Sequence, residues 1–278
     1  MPAAGPTPEQ RKARQAETLR FFRRRQLRAL AAVVAVVLVF WVCSALTNFS
    51  LEYTLYATPL AFQWMFENFI PTAGSFAEFP YILEQTVSTV LGSVAATVIS
   101  AILGIVLAML GSGTVGVRST PVRYLIRVFA SVFRNIPMVA WALLLLLSFK
   151  QNEFTGFLAL FLTTFGQLTR LFLDTLDEIP SGPVEALRAC GASYWQVVCQ
   201  AAIPLGIAQL MSWVLYMVET NIRSATLIGL LTGTGIGFVF DLYYKSFRYD
   251  EAGLVILVTI VVVIAIELVS NRARRSMI

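Results

Sequence analysis

The chain contains no histidine. That excludes imidazole metal sites, Ser-His-Asp triads and histidine proton relays. Charge is also scarce, with Asp, Glu, Lys and Arg making up 13% of 278 residues, far below the share in soluble domains. Cysteine is limited to Cys43, Cys190 and Cys199, an odd set that indicates no disulfide framework. No G-x-x-x-x-G-K-[ST] segment occurs, so the chain carries no Walker A nucleotide site of its own. Gly111-Ser112-Gly113-Thr114-Val115-Gly116 fits G-x-G-x-x-G letter by letter. It follows an apolar run rather than a strand, and reads as a flexible turn instead of a dinucleotide cradle.

Apolar residues are abundant, at 57% of the chain, with a mean hydropathy of +0.73. A bilayer core about 30 Å thick needs roughly 20 such residues per helix. Six stretches qualify: 28–48, 82–110, 127–149, 155–173, 203–222 and 252–270. A seventh, 225–240, is short and rich in Gly and Thr, as expected of a broken or re-entrant helix. The fold class read from this is an all-α membrane protein. Of its 21 basic residues, 17 fall on one side if the tail 1–27 is cytosolic, leaving Lys150, Arg223, Lys245 and Arg248 outside. The excess of Lys and Arg on cytosolic loops then puts both termini inside. The stretch 28–48 reads as an uncleaved signal anchor, because its apolar run exceeds that of a signal peptide. Residues 49–81 become an external loop dense in aromatics, with 59–70 expected to lie as an amphipathic helix at the membrane surface. Contact with lipid is implied throughout, and nothing points to nucleic acid. The main body is 82–270, with a cytosolic loop at 178–200 and a basic tail at 271–278.

That loop carries the most specific pattern. Pro183 suits the first position of a helix, with Gly182 as N-cap and Glu185 in the first turn, near the positive end of the helix dipole. Gly191 suits a left-handed helix stop, and Ser193 with Gln196 forms an S-x-x-Q capping box for a second helix. Pro204 is expected to kink that second helix. Ala186 and Ala189 make a small face able to enter a groove on another protein. Nearby Asp174, Asp177 and Glu178 read as an acidic edge that solvates the loop or pairs with a partner.

Glu185, Ala186, Gly191 and Pro204 resemble the EAA loop of ABC-importer permeases, E-A-A, three residues, G, nine residues, then I-x-L-P. Leu187, Ala201 and Ile203 depart from that pattern. Two further stretches sharpen the resemblance. One is Phe133-Arg134-Asn135-Ile136-Pro137, and the other runs from Glu219-Thr220-Asn221-Ile222-Arg223-Ser224-Ala225-Thr226 into Leu227-Ile228-Gly229. With the loop, they resemble phosphonate importer permeases over roughly residues 80–275.

The resemblance implies a type I importer permease of about six spans, with a cytosolic coupling helix and a Gly-rich broken helix near the outer gate. It implies a non-catalytic subunit working as a homodimer with two cytosolic ATPase subunits and an external binding protein. ATP and Mg would be bound by the ATPase, and this chain would hold no cofactor or metal. Glu185, Ala186, Leu187, Arg188, Gly191 and Pro204 would couple to the ATPase. Candidate pathway or gate residues are Asn221, Arg223, Thr226, Thr232, Thr234 and Gly235. Two readings stay open for Arg223: it attracts an anion near the outer gate, or it pairs with Glu219 as a brace. Two stay open for Gly229–Gly237: a pliable gate whose Thr232 and Thr234 add polarity, or close packing at a dimer interface through G-x-x-x-G spacings. The cargo implied is a phosphonate or related phosphorus oxyanion. The alternatives are methionine or another small amino acid carried by the same machinery, an ATP-independent secondary transporter, or a membrane scaffold.

Overall fold

The computed structural model describes residues 8–117 and 119–277, with side chains from 22 to 117 and from 119 to 276. Arg118 and the side chains of Arg11, Lys12, Arg14 and Arg20, counted above as cytosolic, lie outside the described residues. The described residues are helical throughout, with no strand. Among the described residues, five helices are long and apolar enough to cross a membrane, or six if one bent pair is counted as a span. The residues divide into two units, one up to Met65 and one from Phe66 onward.

In the first unit, α1 (Pro8–Thr47) runs unbroken from the basic tail through the predicted anchor. Its apolar part, Phe22–Thr47, has mean hydropathy 2.7, and at 26 residues it is long enough to span a bilayer. Such a helix is solvated by lipid, which is as apolar as its own Leu and Val. Ser44 Oγ donates to the Phe49 carbonyl at 2.6 Å, and Phe40 packs edge-on against Phe49. The next helix, α2 (Leu51–Asn68), begins well before the predicted surface segment. Exposed Tyr53, Tyr56, Leu60 and Trp64 share one side of it and exposed Leu51, Leu55 and Phe62 the opposite side, so its apolar residues are not confined to one face as expected.

The second unit is built around α6 (Glu153–Asp177), whose span is 61% buried. Around it pack α3 (Phe79–Gly111), α4 (Thr120–Asn135), α5 (Met138–Phe149) and α9 (Ile203–Thr232). Phe172, Leu168, Leu173 and Leu176 of α6 are fully enclosed. Small and hydroxylated residues allow this closeness, as is usual where helices meet in lipid. Thr86, Ser93 and Thr97 of α3 are buried, each bonding the carbonyl four residues back at 2.6–2.8 Å. Ser100 instead donates across to the Phe161 carbonyl at 3.1 Å. Opposite α4, Gly166 lies so near the chain at Phe133 and Arg134 that a Cβ there would stand 2.6 Å from the Arg134 nitrogen.

Two predicted spans are redrawn. The stretch 127–149 is not one helix but two, α4 and α5, meeting at 87°. Pro137 offers no N–H, and Ile136 before it is extended (φ −81°, ψ 120°), as the residue before a proline prefers. The stretch 203–222 continues as α9 to Thr232, so the expected break moves to Gly233 and Thr234. There the Thr232 hydroxyl bonds the Ile228 carbonyl, Gly233 turns left-handed at φ +70°, and α10 (Gly235–Lys245) begins. The chain then crosses again as α11 (Tyr249–Met277). At the α10–α11 turn, Arg248 bonds Glu251 at 2.7 Å and Glu78 at 3.0 Å, and these carboxylates raise its pKa.

Candidate functional site

The predicted loop folds as α7 (Ser181–Ala189) and the short α8 (Tyr194–Val197). Pro180 is the N-cap of α7, so the helix starts earlier than expected. Gly182 and Pro183 are its second and third residues, still in the turn where an N–H is dispensable. Glu185 therefore falls outside the first turn, and the predicted dipole contact is lost. Val184 and the partly buried Leu187 point inward onto Val197 and Ala201. That apolar cluster contains two of the departures from the EAA pattern, Leu187 and Ala201. Glu185, Ala186 and Ala189 are exposed, giving α7 a small-residue outer face with one acid.

The helix ends as its glycine requires. Gly191 sits at φ +83°; its N–H bonds the Arg188 carbonyl, and the Ala192 N–H bonds the Leu187 carbonyl. This pair of bonds is the Schellman stop. Gln196 Oε1 accepts the Ser193 N–H at 2.7 Å, closing the predicted capping box. From α8 the helix widens into a π-turn, Val198–Ala202, before Pro204 in the first turn of α9. A π-turn, whose wider ring accommodates the missing N–H, stands where the proline kink was expected.

Arg188 is the link to the bundle. Its guanidinium donates to the carbonyls of Thr114 and Val115 at 3.1 and 3.4 Å. The turn it grips is the Gly111–Gly116 stretch, which is pinned rather than flexible. Ser112 Oγ and the Gly113 N–H both donate to Asp177 Oδ1, at 2.7 and 2.6 Å, while Arg127 holds the other oxygen. Ser112 and Val115 are wholly buried. Asp177 thus works inside the fold instead of solvating the loop, and Asp174 pairs with Arg170 at 2.9 Å. Tyr194 of α8 adds a bond to the Met109 carbonyl at 2.8 Å. The ends of α3, α4 and α6 and the loop helices therefore meet in one polar cluster.

The pathway candidates scatter. Asn221 is buried and joins three helices, donating to Thr97 and Thr164 hydroxyls at 2.8 Å each. Thr234 and Gly235 line a cavity of about 260 Å³ between α3, α6, α9 and α10. Thr232 is buried and bonds Thr234 at 3.0 Å, so it adds no polarity to an open path. The spaces a Cβ would need at Gly229 and Gly237 are filled by the Thr234 and Thr226 carbonyls. These glycines close α9 onto α10 within one chain, which replaces the dimer-interface reading of the G-x-x-x-G spacing. Arg223 does pair with Glu219, at 3.0 Å, but inside α9 rather than outside the span. Arg274 of α11 shares the same carboxylate at 3.3 Å, so the last turns of that helix are tied to the bundle.

A second cavity, about 350 Å³, opens where α4 breaks from α5. Asn221 borders it, together with Arg134, Asn135, Thr163, Gln167, Thr220 and Ser224, none of which was singled out as a pathway residue. The signal was present: polar residues four apart on α6 and on α9, facing an X-Pro break.

Comparison with known proteins agrees with this architecture. Residues 104–276 match the family described as the binding-protein-dependent transport system inner membrane component. A phosphate-import permease of Mycolicibacterium smegmatis is 27% identical over 79% of this chain, which spans only 42% of that protein's length. A putative cryptic phosphonate transport permease of Escherichia coli is 33% identical over 44% of this chain and 99% of its own. A probable D-methionine transport permease of Pasteurella multocida is 23% identical, covering 69% and 93%. Among solved structures, an inward-facing methionine transporter superposes with TM-score 0.64 at 17% identity, covering 74% of this chain and 99% of its own. The resemblance to phosphonate permeases stands, and the chain belongs to the family of multi-pass inner membrane components of binding-protein-dependent transport systems.

Proposed function

We propose that this chain is the non-catalytic permease subunit of an ATP-driven importer that carries a phosphonate or related phosphorus oxyanion by alternating access. The observation that carries the reading is the loop helix α7. It offers Glu185, Ala186 and Ala189 outward while Arg188 locks it to the turn that Asp177 binds. A partner that moves α7 thereby moves the ends of α3, α4 and α6 together, and a rigid linkage of this kind is what domain switching requires. The partners in this reading are a second copy of the chain, two cytosolic ATPase subunits that bind ATP and Mg, and an external binding protein. Both termini and α7 lie on the cytosolic side, where ATP is present.

The cargo is tested by uptake of labelled 2-aminoethylphosphonate in cells with and without the chain. Methylphosphonate, phosphate, phosphite and methionine serve as competitors. Loss of uptake on deletion, with competition by phosphorus oxyanions alone, is the expected result. A second reading, methionine as cargo, draws on the methionine-transport relatives and the methionine-transporter fold. Loss of methionine import on deletion, with oxyanion import untouched, selects it.

A further inference from the structure

We propose that the cavity at the α4–α5 break is a transit site for the –PO₃ group of the cargo, with Arg134 as its principal ligand. The inference rests on the oxyanion reading above and deepens it by naming the site. Arg134 lines the cavity, and among the described residues its guanidinium has no hydrogen bond or ion pair. By contrast, Arg127 is matched by Asp177, Arg170 by Asp174, and Arg223 and Arg274 by Glu219.

The depth makes an unmatched cation unusual. Thr163 and Gln167 flank the middle of the 25-residue α6, and the Arg134 backbone passes Gly166 between them, with the side chain exposed at the cavity. That is about 20 Å from one end of the helix and about 17 Å from the other. A charge so placed is costly in lipid and marks a water-filled path or a ligand. The sequence count puts Arg134 with the cytosolic residues, whereas the last turn of α4, before the break to α5, sets its backbone beside the middle of α6.

The remaining wall supplies hydrogen-bond donors and no carboxylate. Thr220 Oγ1 is buried without a partner, and the Gln167 amide and Ser224 hydroxyl are likewise uncommitted. Pro137 and Met138 open α5, whose N-terminal N–H groups no side chain caps. Guanidinium, amide, hydroxyls and a helix N-terminus together suit a compact oxyanion. The outer cavity near Gly235 is a poorer place for one, because Glu153 lines it. Glu219 adjoins Thr220 in sequence but is held on another face by its two arginines.

The test uses the full transporter in proteoliposomes, with its ATPase and external binding protein. Methylphosphonate and phosphate are the probes, and methionine the control. Per inserted permease, Arg134→Gln is expected to lower the maximal uptake rate by roughly tenfold or more. The half-saturating concentration, set by the external protein, stays put, and Arg134→Lys recovers most of the rate. Undiminished uptake by Arg134→Gln overturns the site while the importer reading survives. Equal loss in the Gln and Lys variants also overturns it, since a structural role alone explains that result. A wild type that carries methionine and neither oxyanion removes the oxyanion reading and the site with it.

Discussion

Gly191 shows how much one residue can hold. At φ +83°, any side chain meets the left-handed penalty, about 1–2 kcal/mol, and proline also removes the N–H that Arg188 accepts. Gly191→Ala should leave insertion intact and reduce ATP-dependent uptake several-fold, while Gly191→Pro should abolish uptake with the protein still in the membrane. Uptake per inserted molecule is the quantity to measure, and full uptake by the proline variant contradicts the docking role of α7. Asp177 is the complementary case, because it receives two donors and an arginine from another helix. Removing it orphans groups worth roughly 1–3 kcal/mol each if they stay dry. Asp177→Ala should therefore lower the thermal midpoint of the purified protein, and Asp177→Asn, which keeps one acceptor, should lower it less.

At the scale of helices, local pattern and long-range contact part company. The capping box at Ser193, the stop at Gly191 and the all-helical class were legible because each depends on neighbours a few residues away. The pinning of Ser112 by Asp177 was not, since 65 residues separate them, nor was the sharing of Glu219 by Arg274, 55 residues on. The 87° break was half visible: Ile136-Pro137 forbids a continuous helix, but hydropathy over 127–149 averages across it. The hairpin of α9 and α10 is the element most exposed to a single change. A side chain at Gly237 must displace the Thr226 carbonyl, so Gly237→Leu should separate the two helices or prevent folding. Faster proteolysis between Thr232 and Gly235 in membranes would register it, and an unchanged cleavage pattern would contradict the packing.

The whole molecule has a direction across the membrane, and its own cysteines can report it. Cys43, Cys190 and Cys199 are all exposed and free of disulfides. Cys43 lies in the apolar run of α1, whereas Cys190 ends α7 and Cys199 lies in the π-turn beyond it. If the loop is cytosolic, a membrane-impermeant maleimide added to intact cells should spare Cys190 and Cys199. In inside-out vesicles it should modify both, read in variants that each keep a single cysteine. The ATPase partner gives the sharper outcome. Cys190 adjoins the exposed Ala186 and Ala189 face, so a bound ATPase should slow its labelling well below that of the isolated permease. Labelling from outside in intact cells inverts the topology, and with it the 17-to-4 split of basic residues that argues for it. Labelling from inside without protection keeps the topology but moves the docking surface away from α7.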